Sequence, residues 1–320
     1  MADRFDYSVY GLRLRSDIAF APLRVEAAGT PDVAVRRVER RSDRLFPVPV
    51  YATDGANASG APYLAVDSTG GETPALRIRQ NDETASVEFV LRSPADIDIH
   101  LSGPVDPGDL CAYFIGPVLG YLLRLRRTAA LHGGFVATSR GAVGVIGPKG
   151  AGKSSLVAAW ARAGITVLAD DIGALAQDPA GRWTIAPAYP RLRLWPDTAA
   201  ALGLATAGER VLSFAAKVYV DLTIPPFSFE PAPQPLRAIL ALGPRTGSHP
   251  VMAPLQPGPA AARLLANVYA PAGGGVAARR HDMAVLGNVS SAVPVLAVTL
   301  PESFEWLNSR STSLLDLLPA

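Results

Sequence analysis

The spacing of hydrophobic and polar positions divides the chain into two parts of different character. Residues 5 to about 102 contain short segments with strand-like composition, such as YSVYGLRLRS at 7–16 and VEFVLRS at 87–93, separated by clusters of Gly, Pro, Asn and Asp. No pattern with the 3.6-residue period of a helix extends for any length there. The sequence therefore predicts a β-rich N-terminal module over 1–105, followed by a second domain over 106–320.

The second part alternates between helix-like and strand-like segments. The apolar stretch that runs through Arg127 predicts a helix with Asp109 as its cap. Two strands, LHGGFVAT at 131–138 and GAVGVIG at 141–147, are predicted as a pair joined by a turn. A helix over 154–163 and a short buried strand, ITVLA, come next. Later elements are predicted as strands at 218–224, 236–243 and 293–300 and helices at 197–204 and 258–270. This alternation favours an α/β core with its ligand at the strand ends.

Composition and charge narrow the class of protein. The 320 residues are 49% hydrophobic and 18% charged, which is typical of a globular chain with a sizeable core. With 30 basic against 28 acidic residues, no nucleic-acid partner is expected. The longest apolar run, 110–123, contains Pro117 and is too short to cross a bilayer, so no membrane partner is expected. The single Cys111, interpreted as a core residue, and the absence of an apolar signal segment favour a cytoplasmic protein.

A glycine-rich loop carries the strongest chemical signal. Gly147, Gly152, Lys153 and Ser154 match G-x-x-x-x-G-K-[ST] between a predicted strand and a predicted helix, the context in which this loop binds nucleotide phosphates. Lys153 would neutralise the β- and γ-phosphates, and the Ser154 hydroxyl can bind Mg²⁺, so ATP and Mg²⁺ are the expected cofactors. Lys149 is either an accessory phosphate contact or an exposed side chain. The predicted nucleotide-binding residues are Gly147, Pro148, Lys149, Gly150, Ala151, Gly152, Lys153, Ser154 and Ser155.

Two consecutive acids follow the loop closely. Asp170 and Asp171 come 17 and 18 residues after Lys153, at the end of the next predicted strand. Because side chains alternate along a strand, the two carboxylates should point in different directions. Two acids suit two tasks, binding of metal or water and acceptance of a proton from an attacking hydroxyl; the alternative is a turn-forming pair. His132, 15 residues before Gly147, is either structural or assists proton transfer.

Weaker candidates for substrate binding lie further along the chain. Arg191 and Arg193 share one face of a predicted strand and would bind phosphate or an acidic peptide, or else are solubilising residues. Lys217 is either a second phosphate ligand or a strand-edge lysine. Trp195 is predicted to pack in the interior rather than to stack on the substrate. Residues 271–282 are predicted to form a mobile loop whose arginines either close on the site or belong to a disordered tip.

Three motifs taken together resemble the catalytic domain of the HPr kinase/phosphorylase family. That family has a His-Gly sequence on a strand, a phosphate loop and a strand that ends in ADD. The segments LHGG at 131–134, GPKGAGKSS at 147–155 and LADD at 168–171 reproduce their order. The segments YGLRLRSDIAFAPL at 10–23 and PAYPRLRLWPD at 187–197 resemble the stand-alone members of peptide-tailoring gene clusters, such as lasso-peptide precursor kinases.

The resemblance implies an α/β P-loop kinase core of the HPr kinase/phosphoenolpyruvate-carboxykinase-like type. It implies transfer of the γ-phosphoryl group of ATP to a serine hydroxyl of a peptide or small protein, including a ribosomal precursor of lasso type, and a homo-oligomer. Lys153 and Asp170 would be catalytic, with Asp170 as the base. Asp171 would be its metal- or lysine-facing partner, with Ser154 also on the metal, and His132 would lie at the phosphates.

Three other functions stay open. They are a small-molecule hydroxyl kinase, a kinase for an HPr-type carrier protein, and a nucleotide-binding switch that transfers nothing. The glycine-rich signature RGLGI of the bifunctional enzymes has no clear copy downstream of the aspartates. This departure argues against phosphorylase activity and against HPr as the acceptor.

Overall fold

A computed structural model describes residues 4–26, 29–71, 73–204, 206, 208–213, 215–270 and 275–319. Contacts divide the chain into a first unit, Met1–Thr128 with Ala270–Arg279, and a second unit, Ala129–Tyr269 with Arg280–Ala320.

The first unit is built on one nine-stranded sheet, as the strand-like composition of its sequence predicted. Its strands are β1 Phe5–Val9, β2 Leu12–Ser16, β3 Arg24–Val25, β4 Val33–Val38, β5 Val48–Ala52, β6 Leu64–Ser68, β7 Leu76–Asn81, β8 Ser86–Ser93 and β9 Asp96–Ser102. They lie in the order β3-β1-β2-β4-β9-β8-β7-β6-β5. In β7, buried Leu76, Ile78 and Gln80 alternate with partly exposed neighbours, so the period of two determines which face is covered.

A helical segment follows the sheet within the first unit. It comprises α1 Pro107–Tyr113, a π-helical turn Phe114–Val118 that contains Pro117, and α2 Leu119–Leu125. Its cap is Asp106, whose carboxylate accepts a hydrogen bond from the Asp109 N–H at 3.0 Å, so the prediction of Asp109 as the cap was wrong by one turn. The ring of Phe114 stacks on Phe20 with centroids 4.0 Å apart. Because this segment packs within the first unit, the division lies at Thr128 and differs from the predicted boundary between 105 and 106.

The second unit contains ten strands and six helices among its described residues. The strands are β10 Ala130–Thr138, β11 Gly141–Ile146, β12 Thr166–Ala169, β13 Ile172–Gln177, β14 Trp183–Ala186, β15 Arg191–Leu194, β16 Val218–Asp221, β17 Gln234–Leu242, β18 Val251–Pro254 and β19 Val295–Thr299. The helices are α3 Lys153–Arg162, α4 Pro196–Ala201, α5 Pro257–Leu265, α6 Gly275–Ala292, α7 Phe304–Arg310 and α8 Ser313–Asp316, of which α6 begins in the first unit.

The main sheet of this unit is mixed and partly closed. Its order is β11-β10-β13-β14-β17-β19-β18, with β12 on β10, and β11 also pairs with β17. The strands β11, β10, β13, β14 and β17 therefore close a small barrel. The expected alternation of strand and helix is present only in part, since β10 pairs antiparallel with β11, β12 and β13. Assignment to a P-loop kinase core stays a prediction.

Three strands of this sheet run parallel and end at one edge. β11 pairs parallel with β17, and β17 pairs parallel with β19. Their carboxyl ends consequently meet at one edge, where ligands bind in open α/β sheets. Helix α3 begins at that edge, and its Trp160 is fully buried and donates a hydrogen bond to the Ser311 carbonyl at 2.9 Å.

Helix α6 replaces most of the loop predicted over 271–282. Residues 271–274 lie outside the described residues, and the chain is helical from Gly275. The stretch contains four Ala and two Arg, which favour helix, and Leu286 and Val289 are buried. Among the described residues, the helices lack the length and apolar character needed to cross a membrane.

Candidate active site

The loop between β11 and α3 is shaped by its glycines. Gly147 has φ +149° and Gly152 has φ +97°, conformations that a side chain disfavours. A Cβ on Gly147 would lie 2.8 Å from the Leu242 carbonyl oxygen on β17. The Gly147 N–H donates to Asn267 Oδ1 at 3.0 Å, which fixes the beginning of the loop. The backbone of the loop therefore adopts conformations that require the glycines of the sequence motif.

Lys153 folds back onto this loop. Its ammonium donates to the Gly147 carbonyl at 2.8 Å and the Pro148 carbonyl at 3.2 Å, and the residue is 9% exposed. Burial lowers the pKa of Lys153, and the nearby charges of Asp171 and Asp170 only partly oppose that effect. The cation is thus fixed inside the loop, where phosphate oxygens would bind.

A cavity of about 290 Å³ opens beside the loop. Most of the predicted site residues line it, namely Lys149, Gly150, Gly152, Lys153, Ser154, Ser155, His132, Asp171, Arg193 and Lys217. Asp170 and Arg191 are not among its walls. Of the described residues that line the cavity, five are lysine or arginine and one, Asp171, is a carboxylate. Such an excess of positive charge suits a polyanionic ligand.

Asp170 is buried behind the cavity. It is 3% exposed, and its Oδ2 accepts a hydrogen bond from the Arg193 N–H at 2.8 Å. Burial raises the pKa of Asp170, and the charge of Asp171 raises it further, beyond what Arg193 offsets. Its contact with the backbone of β15 holds that strand beside the end of β12.

Asp171 faces the cavity and contacts two side chains, those of His132 and Arg193. Its Oδ1 lies 3.2 Å from His132 Nδ1, and its Oδ2 lies 3.3 Å from Arg193 NH1. Burial acts to raise the pKa of Asp171, but the His132 hydrogen bond and the Arg193 charge outweigh it, so the pKa lies below its ordinary value. The backbone of Asp171 is left-handed, with φ +72°, which turns its side chain away from that of Asp170. The two carboxylates consequently have different partners, a backbone N–H for Asp170 and two side chains for Asp171.

The two arginines on β15 have different surroundings. Arg191 forms an ion pair with Asp221, its register partner on β16. Arg193 contacts Asp171, and its guanidinium carbon lies 5.6 Å from the centre of the Tyr189 ring. The structure therefore brings Arg193, and not Arg191, to the cavity.

The cavity also contains residues that sequence patterns missed. Arg245 follows β17, and its Nε lies 3.5 Å from the Ala151 carbonyl; a Cβ on Gly152 would lie 2.3 Å from its guanidinium NH2. Phe304 lines the cavity from the start of α7. No local signal identifies either residue, because both depend on the parallel pairing of β11, β17 and β19.

Trp195 does not pack in the interior as predicted. It is 52% exposed and lines the cavity, and the Lys217 ammonium lies 5.6 Å from the centre of its ring. Leu192 and Leu194 take the buried positions of β15. Because side chains alternate along a strand, Trp195 lies on the same face as Arg193. This alternation could be recognised in the sequence.

A larger cavity of about 920 Å³ lies elsewhere in the second unit, at the turn between β10 and β11. Two cations, Arg140 and Arg237, and two acids, Glu230 and Asp316, balance one another in its walls. It contains none of the phosphate-loop residues. Size alone therefore does not identify a candidate site; the cavity beside the loop differs from this one by its excess of cations over acids.

The residues beside the loop fit Mg²⁺ only as part of a nucleotide complex. No group of three or more His, Cys, Asp or Glu able to hold a metal occurs within the described part of the chain. The Ser154 hydroxyl and the Asp171 carboxylate line the same cavity. Oxygen ligands of this kind, with one or two carboxylates completed by phosphates and water, are typical of Mg²⁺ sites.

Comparison with known proteins identifies distant similarity to solved structures only. No family model matches the chain, and no curated protein matches it. Among solved structures, the Hpr(Ser) kinase/phosphatase from Coxiella burnetii is similar with 13% sequence identity and a TM-score of 0.33. The match covers 58% of this chain and 85% of that one.

Proposed function

We propose that the protein is an ATP- and Mg²⁺-dependent kinase that transfers the γ-phosphoryl group to a serine hydroxyl of a peptide or small protein. One observation carries the proposal. The phosphate loop and the connected side chains of His132, Asp171 and Arg193 line a single cavity.

The cations of the cavity support binding of a triphosphate. Lys153 lies within the loop, and Arg245 lies against Gly152 from the neighbouring parallel strand. Lys149, Arg193 and Lys217 add positive charge around the same space. Fixed cations stabilise a transferring phosphoryl group most when they are already in place before the reaction, as these are.

Ser154 and Asp171 are the residues that would hold Mg²⁺. The bound ion would supply neutralisation of the phosphate charge. The remaining steps depend on side chains of this chain.

We assign proton acceptance to His132, positioned by Asp171. Asp170 does not line the cavity, and a carboxylate with a lowered pKa, such as Asp171, is a weak base. A neutral His132 that donates its Nδ1–H to Asp171 keeps the Nε2 lone pair as an acceptor. This reassigns the role that the family resemblance gave to Asp170, whose contact with the Arg193 N–H makes it a positioning residue.

These groups account for the bond formed, the bond broken and the proton released in the transfer. The acceptor serine oxygen forms a bond to the γ-phosphorus, while the bond from that phosphorus to the β,γ-bridging oxygen breaks and ADP leaves. The serine proton passes to His132 Nε2. The ionised Asp171 then stabilises the imidazolium.

The test is incubation with γ-labelled ATP, Mg²⁺ and serine-containing peptides, including those encoded beside the gene, followed by mass mapping of the phosphate. We expect label on a peptide serine, and none with His132→Gln. Label only on a hydroxyl metabolite, or only on an added HPr-type carrier, would redirect the acceptor assignment. Slow ATP hydrolysis with no labelled acceptor in any pool would contradict the kinase and favour a switch.

A further inference from the structure

Two exposed aromatic rings stand at the mouth of the phosphate cavity. Trp195 is 52% exposed and Phe304 is 43% exposed, and both line the cavity. Among the described aromatic residues of the second unit, these two are the exposed ones, while Trp160, Tyr189 and Tyr219 are buried. Large rings left in water beside a charged cavity indicate a ligand with a flat apolar part.

The fold joins the helices that carry the two rings. Trp195 directly precedes α4, and Phe304 begins α7. The Asn308 side chain on α7 donates to the Ala201 carbonyl at the end of α4, at 3.0 Å, and Arg162 at the end of α3 donates to Asn308 at 3.1 Å. The three helices therefore run together, with their starts at the cavity and their ends joined at Asn308.

The topology indicates which part of a ligand reaches these rings. Phosphates on the loop lie at the carboxyl end of β11, and Phe304 comes five residues after the carboxyl end of β19, two strands away on the same edge. A nucleotide extends from its phosphates along such an edge. The base is the flat, apolar part of the nucleotide beyond its phosphates. Bases of every kind stack on aromatic side chains.

We propose that Trp195 and Phe304 form the seat for the base of the nucleotide, with Lys217 closing one face of the Trp195 ring. This inference rests on the proposed function, because it takes the phosphate loop as the site of the triphosphate. It predicts that the rings distinguish ATP from inorganic tripolyphosphate, which has the same phosphates and no base.

The experiment compares the two ligands by calorimetry on the full chain. Trp195→Ala and Phe304→Ala should each weaken ATP binding about tenfold and change tripolyphosphate binding less than about twofold. Trp195→Phe keeps a ring and should retain most of the ATP affinity. Val251→Ala removes an exposed apolar side chain outside the cavity and should change neither ligand. Trp160 and Trp306 are buried, and the partly exposed Trp183 does not line the cavity, so ATP should also protect Trp195 fluorescence from acrylamide, and tripolyphosphate should not.

Two results would overturn the inference. Equal loss of both ligands in the alanine variants would mean that the rings support the phosphate loop, and unchanged ATP binding would mean that the base lies elsewhere. If only the KM for the peptide acceptor rises, the rings belong to the acceptor. Failure of the proposed function gives a different result: no acceptor is labelled in the transfer assay, while the binding of ATP and of tripolyphosphate to the variants can still be compared.

Discussion

The arginines of the first unit and the cations of the second unit's cavity are similar in chemistry and opposite in surroundings. In the first unit, Arg15 pairs with Asp6 at 2.9 Å, and Arg77 pairs with Asp67 at 3.1 Å. Each of these pairs joins register partners on neighbouring strands. In each of these pairs, an acid on the neighbouring strand neutralises the charge of the arginine.

The cavity of the second unit has no such balance within its described walls. Five cations surround a space in which Asp171 is the one lining carboxylate. The overall charge of +2 conceals this difference, because it sums the charges of both units. Local excess of charge, and not net charge, therefore distinguishes this cavity.

Removal of Lys153 should produce the largest effect. We expect Lys153→Met to reduce kcat/KM by about 10³-fold or more, because the ammonium serves both phosphate binding and the transition state. Arg79→Met in the first unit is the matched control, since Arg79 pairs with Asp67 at 2.8 Å. Steady-state kinetics and ATP calorimetry measure both. Full activity of Lys153→Met would disprove the role of the phosphate loop.

Substitution of the two adjacent aspartates should give the next largest effects on kcat, and the two effects should differ. Asp171→Asn should lower kcat by about 10²-fold to 10³-fold, because His132 loses the carboxylate that orients it, while ATP still binds. Asp170→Asn should lower kcat much less, because an amide oxygen can still accept the Arg193 N–H. Equal losses in the two variants, measured under saturating ATP, would contradict the assignment of different roles.

The elements around the loop were predictable because their signals are local. The strand pair β10 and β11, the helix α3 and the strand β12 are confirmed close to their expected bounds. Glycine spacing and short apolar runs determine them without reference to distant residues.

The rest of the site depends on contacts between distant segments. Arg245 reaches the loop because β17 pairs with β11 across more than 90 residues of chain. The left-handed backbone of Asp171 determines which acid faces the cavity, and although Asp adopts that conformation more often than most residues, the sequence does not show which of the two aspartates does so. The catalytic and binding roles of all these residues stay predictions until variants are measured.

Ionisation of Asp170 and ionisation of Asp171 should have opposite effects on the stability of the fold. The pKa of Asp170 is raised by burial, so its ionised form destabilises the fold as pH rises from its ordinary pKa of 3.8 through the raised value. The pKa of Asp171 is lowered despite burial, so its stabilisation is present above 3.8 and is lost as pH falls through the folded value.

Thermal melts should therefore show Asp170→Asn at or above the wild-type Tm at pH 7, with the difference shrinking as the pH falls toward 4. Asp171→Asn should melt below wild type at pH 7. Each kcal/mol corresponds to about 2–4 °C in Tm for a unit of this size. A lower Tm for Asp170→Asn at pH 7 would show that its carboxylate is needed in the ionised form.

The smallest effect is expected where the charges are already paired. Arg36 lies 2.8 Å from Asp96 and 3.8 Å from Asp98 on β9, and all three side chains reach solvent. Exposed pairs of this kind contribute about 0–1 kcal/mol and weaken with salt, so Arg36→Met should change the free energy of unfolding by no more than that. ATP affinity should be unchanged, whereas the cavity counterpart Arg245→Met should lower it about tenfold, because Asp171 is the one carboxylate among the described residues that line the cavity and the phosphates of the ligand would supply the balancing charge. Loss of ATP affinity in Arg36→Met equal to that in Arg245→Met would mean that the positive charge acts over the whole molecule and not through the cavity.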